Sequence, residues 1–76
     1  MKIHEILQQT ELLRNTPEYK AGGMRKGQTL WNWCSDHFGR QFTDISPTGE
    51  AADCFYQDTH IGAFCAWLVE NELAEW

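Results

Sequence analysis

The sequence predicts an all-α fold, a small bundle of three main helices with short helical connections, forming one domain over residues 1–76. Apolar residues recur at helical spacing in three segments, no β-type alternation persists beyond a few residues, and Gly or Pro signals separate the segments. A chain of 76 residues buries only about 60% of the surface its unfolded form exposes. Four Trp, four Phe and two Tyr offset this, because each aromatic removes roughly 150 to 250 Å² from water.

The first helix is predicted over residues 3–15, where Ile3, Ile6, Leu7, Thr10 and Leu13 share a face and Leu12 points elsewhere. Thr16-Pro17 has the form of an N-cap and first helical residue, opening a short turn that Gly22-Gly23 ends. Residues 28–38 form the second main helix, with Leu30, Cys34, His37 and Phe38 on one face, Trp31 and Trp33 flanking it, and Gly39 as the stop. Residues 40–57 read as a loop with one short helix opening at Ser46-Pro47. Asp58 or Thr59 caps the last helix, in which Ile61, Phe64, Cys65, Leu68 and Glu72 form the stripe, widened by Trp67, Val69, Leu73 and Trp76.

Charge is distributed unevenly. The formal net charge is −5, yet residues 1–40 hold all six Lys and Arg, and residues 41–76 hold seven acids with no Lys or Arg. An acidic surface repels nucleic acid and favours a protein partner with a basic surface; its simpler role is to keep a small protein in solution. Glu70, Glu72 and Glu75 crowd the end of the last predicted helix, where the macrodipole favours cations. Lys2 or Arg14 would answer them internally, a basic partner externally. No apolar run is long enough for a membrane span, and the Met1–Glu5 start lacks a signal-peptide pattern. Three cysteines without paired spacing fit reduced thiols, so the expected compartment is the cytoplasm.

Motifs with chemical meaning are weak. Lys20, Arg25 and Lys26 sit in a glycine-rich stretch before a helix and make a candidate anion site, but the order Lys26-Gly27-Gln28 departs from a phosphate-binding loop. Asp44, Ser46, Thr48 and Gly49 imitate a calcium loop whose closing glutamate is replaced by Phe55. Cys34 and His37, with Cys54, His60 and Cys65, lack a Cys-x-x-Cys pair and read as core residues before zinc ligands. Neither Cys54 with His60 nor Asp53 with Asp58 comes with an orienting third group, so no catalytic residue, metal or cofactor is assigned. Asp58 reads as a backbone cap, and Gln28 and Asn32 as amides that tie the segment around residues 55–58 to the second main helix.

Two stretches, Arg25-Lys26-Gly27-Gln28-Thr29-Leu30-Trp31-Asn32 and Phe55-Tyr56-Gln57-Asp58-Thr59-His60-Ile61-Gly62-Ala63-Phe64-Cys65-Ala66-Trp67, carry a resemblance. With them the chain resembles a group of small bacterial and phage-encoded proteins of uncharacterised function. Their Arg-x-Gly-Gln-x-Leu-x-Asn and Phe-Tyr-x-Asp-x-x-Ile-x-x-Phe-x-x-Trp patterns each open a helix. Those relatives usually have Asp-Pro where this chain has Asp53-Cys54, and a basic residue at the place of His60. The resemblance implies a phage or prophage setting and no activity.

The expected function is that of a non-enzymatic protein-interaction module, an accessory factor that binds and modulates a host protein. Trp31, Trp33, Tyr56, Trp67 and Trp76 are the candidate anchors, with Glu70, Glu72 and Glu75 as the charged rim. Exposed aromatics also fit a homodimer. The alternatives are an anti-restriction or anti-CRISPR inhibitor whose carboxylates imitate phosphates, and a small metal-binding protein or enzyme.

Overall fold

Helix α1 spans Ile3–Arg14, and Glu5 in its first turn accepts the Lys2 backbone N–H at 2.9 Å, half of a capping box. Its other end is closed by Asn15, whose backbone N–H and side-chain Nδ2 both donate to the Glu11 carbonyl, at 3.1 and 2.9 Å. Ile3, Ile6 and Thr10 are buried and Leu13 is half-buried, as their shared face predicts, and Leu12 is exposed. Leu7, expected on that face, is exposed as well, because it borders an open cavity with Lys26 and Ile61 and is not covered by another element. Helix α2, Pro17–Ala21, starts where the Thr16-Pro17 signal places it. Thr16 nonetheless accepts no capping N–H; its hydroxyl donates back to the Leu13 carbonyl at 2.7 Å.

Helix α3 spans Lys26–Phe38, two residues longer at its start than the apolar period suggests, and buries Gly27, Thr29, Leu30 and Cys34. Gly39 adopts φ 58°, ending α3 and at once serving as N-cap of a four-residue helix, α4, Arg40–Thr43. The short helix of this region therefore lies ahead of Ser46-Pro47 and not after it. The Ser46 hydroxyl is engaged with that of Thr48 at 3.0 Å, Pro47 is buried, and the chain continues in turns closed by the Glu50 N–H on the Pro47 carbonyl. The break at Gly39 lets α4 place Phe42 in the core.

A 3₁₀ turn, Asp58–His60, leads into α5, Ile61–Glu70, which buries Phe64, Cys65 and Leu68. The helix stops at Glu70, two residues before the predicted stripe ends at Glu72 and six before the flanking Trp76. Asn71 and Glu72 close it in a Schellman arrangement, with the Glu72 N–H on Val69 and the Leu73 N–H on Leu68, at 3.0 and 2.9 Å. Glu72 takes the left-handed position, φ 60°, that glycine normally occupies there. Residues 73–76 then return beside the N-terminus, where Lys2 and Glu75 form an isolated parallel bridge and Ile3 N–H donates to the Glu75 carbonyl at 2.7 Å.

The computed structural model describes residues 1–76, and its architecture is all-α: three main helices joined by short helical pieces. Ile3, Ile6, Leu30, Cys34, Phe42, Cys54, Phe64, Cys65, Leu68 and Ala74 make one core. On one side of it Trp31, Phe42, Phe64 and Trp67 form an aromatic cluster, with centroid separations of 5.1 Å for Trp31–Phe42, 5.8 Å for Phe42–Phe64 and 5.9 Å for Phe64–Trp67. Edge-to-face and offset pairs of this kind contribute about 0.5 to 1.5 kcal/mol beyond their buried area. No helix is long and apolar enough to cross a membrane.

Candidate functional site

The two motif stretches meet in space, and backbone-directed hydrogen bonds hold them together. Gly27 N–H at the start of α3 donates to Asp58 Oδ1 at 3.0 Å, Arg25 donates to the Phe55 carbonyl at 2.6 Å, and the Cys54 thiol donates to the Gly27 carbonyl at 3.2 Å. Arg25 Nε also lies 3.8 Å from Asp58 Oδ1. Asp58 is thus a cap, as expected of it, but of α3 from a distance of thirty-one residues and not of its own helix. The macrodipole explains the fit, since an acid is favoured at a helix N-terminus. Gly27 is required here because a Cβ would collide with the Cys54 carbonyl oxygen. Gln28 and Asn32, expected to make this tie, are half-buried on α3 and take no part in these bonds.

Asp53 is used in the same manner. Its two carboxylate oxygens accept the Gly49 and Phe55 N–H groups at 2.8 and 2.9 Å, and its carbonyl lies 2.9 Å from His60 Nδ1. Asp53 and Asp58 therefore both organise backbone. Asp44, first residue of the calcium-like stretch, pairs instead with Arg40 at 3.7 Å.

Cys34, Cys54 and Cys65 are buried free thiols. Burial pushes Cys54 up to about 12 and raises Cys34 and Cys65 as well; for Cys34 the neighbouring thiols add to desolvation. Such thiols are poor nucleophiles at neutral pH. His37, placed by its spacing on the apolar face, is exposed and stacks on Trp33 with centroids 4.5 Å apart. No three His, Cys, Asp or Glu side chains converge as a metal cluster would require.

The five candidate aromatic anchors divide. Trp31 and Trp67 belong to the aromatic cluster, and Trp33 leans half-buried on His37 and Phe38. Tyr56, 75% exposed, and Trp76, 67% exposed, are open to solvent. They lie in different places: Tyr56 beside Phe55 and Trp31, and Trp76 on a cavity of about 510 Å³ with Met1, Val69, Leu73, Glu72 and Glu75. Two of the three glutamates do sit at the helix end, Glu70 as the last residue of α5 and Glu72 in the turn that closes it, whereas Glu75 belongs to the returning segment. Of the two internal cations proposed for them, Lys2 reaches Glu75 at 3.7 Å, and Arg14 pairs with Glu11 at 3.4 Å.

The basic stretch also divides. Lys20 and Arg25 line a cleft of about 400 Å³ together with Arg14, whereas Lys26 faces a second cavity of about 320 Å³ walled by Leu7, Leu30 and Ile61. Arg14 lines both. Sequence spacing gives no hint of this grouping, because Arg14 belongs to α1 and meets the loop only through the α1–α2 corner. No protein-family model, curated protein or solved structure matches the chain.

Proposed function

We propose that this chain is a non-enzymatic protein-interaction module that docks a partner with a basic surface on the face formed by the end of α5 and the returning residues 73–76. The observation that carries this reading is Trp76, 67% exposed over a cavity of about 510 Å³ whose apolar wall is Met1, Val69 and Leu73. Glu72 and Glu75 rim that cavity, and neither Glu70 nor Glu72 has an ion-pair partner within the chain. An aromatic anchor surrounded by carboxylates suits an apolar side chain flanked by Lys or Arg. Burial of such an anchor is typically worth about 2 kcal/mol or more. The resemblance carried by the Arg25–Asn32 and Phe55–Trp67 stretches supports a phage or prophage setting, with a host protein as the partner.

The test compares quantitative affinity capture from host lysate by the wild-type chain and by Trp76→Ala. A protein enriched by wild type and lost with Trp76→Ala, while Tyr56→Ala retains it, supports the docking face. Equal recovery by wild type and Trp76→Ala would sink it. Complete loss of the captured protein between low and moderate salt, independent of Trp76, would instead favour mimicry of nucleic-acid phosphates, because charge pairing alone is screened within about 8 to 10 Å.

A further inference from the structure

We propose that the cleft between the end of α1, α2 with its following loop, and the start of α3 binds a phosphate group, free or carried by a small molecule. Three of the six cations of a chain with net charge −5, Arg14, Lys20 and Arg25, line this one cleft of about 400 Å³. The single carboxylate among its lining residues is Asp58, which already accepts the Gly27 N–H and faces Arg25. The lining carries a net charge of +2, but Arg14 is shared with Glu11 at 3.4 Å, so Lys20 is the lining cation left without an ion pair for a phosphate to meet.

Two further features suit an anion. Arg14 Nε is buried and makes no hydrogen bond, although the side chain as a whole is partly exposed and its Nη1 pairs with Glu11 at 3.4 Å. A buried donor in that state costs stability unless an acceptor reaches it. The end of α1 would repel an anion through its carbonyls, but Glu11 O is covered by both Asn15 donors, and Leu13 O by the Thr16 N–H and hydroxyl. Lys20 has no ion pair within the chain, and is free to close on a ligand. Tyr19 adds a phenol to the wall. The volume exceeds what phosphate alone fills and falls in the range of small-molecule pockets, about 300 to 1,000 Å³.

The site is separate from the docking face, so the two readings fail independently. The test is a ¹⁵N-resolved NMR titration of the full chain with inorganic phosphate, and in parallel with glycerol phosphate, at ionic strength held constant with chloride. Saturable shifts confined to the amides of residues 19–25 and to the Arg14 Nε–H are expected. Lys20→Gln should raise the Kd about three- to tenfold, and the exposed control Arg40→Gln should leave it unchanged. Lys20 has no partner to lose, so its variant keeps the fold. Tighter binding of glycerol phosphate would assign the site to a phosphate monoester, and tighter binding of inorganic phosphate to the free anion; both support it. Shifts that do not saturate, that spread over the chain, or that respond equally to Lys20→Gln and Arg40→Gln would overturn it.

Discussion

The junction of the two motif stretches and the face around residues 73–76 draw on the same residue types, tryptophan and carboxylate, and use them in opposite ways. At the junction Asp53 and Asp58 are occupied by backbone N–H groups, and Trp31 packs against Phe42 and Phe64. At the returning segment Trp76 stands exposed and Glu72 has no cation. Residue type alone therefore does not mark function in a chain this small. What separates a structural aromatic from an available one is whether a second element closes over it, and α4 supplies that cover only on the first side.

This contrast can be broken at several points. Phe42→Ala removes the ring around which Trp31, Phe64 and Trp67 gather, and should cost about 3 to 5 kcal/mol, measured as a drop in the urea midpoint. Loss below about 1 kcal/mol would mean that the cluster is not the centre of stability. Gly27→Ala drives a methyl group into the Cys54 carbonyl and should cost about 1 to 3 kcal/mol, because backbone must shift to admit it. An unchanged thermal midpoint would refute the close approach.

Asp58→Ala removes the acceptor for Gly27 N–H and the partner of Arg25, for an expected loss of about 1 to 2 kcal/mol. Amide exchange in the first turn of α3 should accelerate, and exchange at the first turn of α5 should not. The reverse pattern would restore Asp58 to its own helix.

The thiols give a pH test. Their folded pKa values lie above the ordinary thiol value, with Cys54 reaching about 12. The folded state thus holds these protons more tightly than the unfolded state, whose thiols ionise near about 8.5. The stability linked to them is fully present below that pH and is lost as pH rises toward the folded values. The urea midpoint should fall across about pH 9 to 11, and a Cys54→Ala variant should show a shallower fall. A Cys54→Ala slope equal to wild type would remove Cys54 from this account.

The smallest effect is expected at the other region. Trp76→Ala should change stability by no more than about 0.5 kcal/mol while abolishing partner capture. A large loss of stability there would erase the distinction between the two regions.

How much was legible in the sequence follows from the reach of each signal. The three main helices were, because a 3.6-residue apolar period repeats over three or more turns in each. Helix α4 was not: Arg40–Thr43 is a single turn with one apolar residue, too short to show a period, and the stronger cap signal at Ser46-Pro47 pointed elsewhere. The stripe of the last helix ran on through Glu72 because periodicity does not register a left-handed residue, and glutamate at that position gives no stop signal. The candidate site was legible only as a list of residue types. Cap chemistry identified Asp58 as an acceptor of a backbone hydrogen bond, but its donor, Gly27, lies thirty-one residues away.

The sequence by itself determined the all-α class, the three main helices, the uneven distribution of charge and the stop at Gly39. Each of these depends on local propensity or on composition, which act over a few residues. Only the tertiary structure decided that Trp31 and Trp67 are core while Trp76 is exposed, that Asp58 caps α3, that Lys2 and not Arg14 meets Glu75, and that Arg14, Lys20 and Arg25 share a cleft. Those outcomes turn on which elements close over which side chains, and that is set by long-range packing to which no local pattern is sensitive.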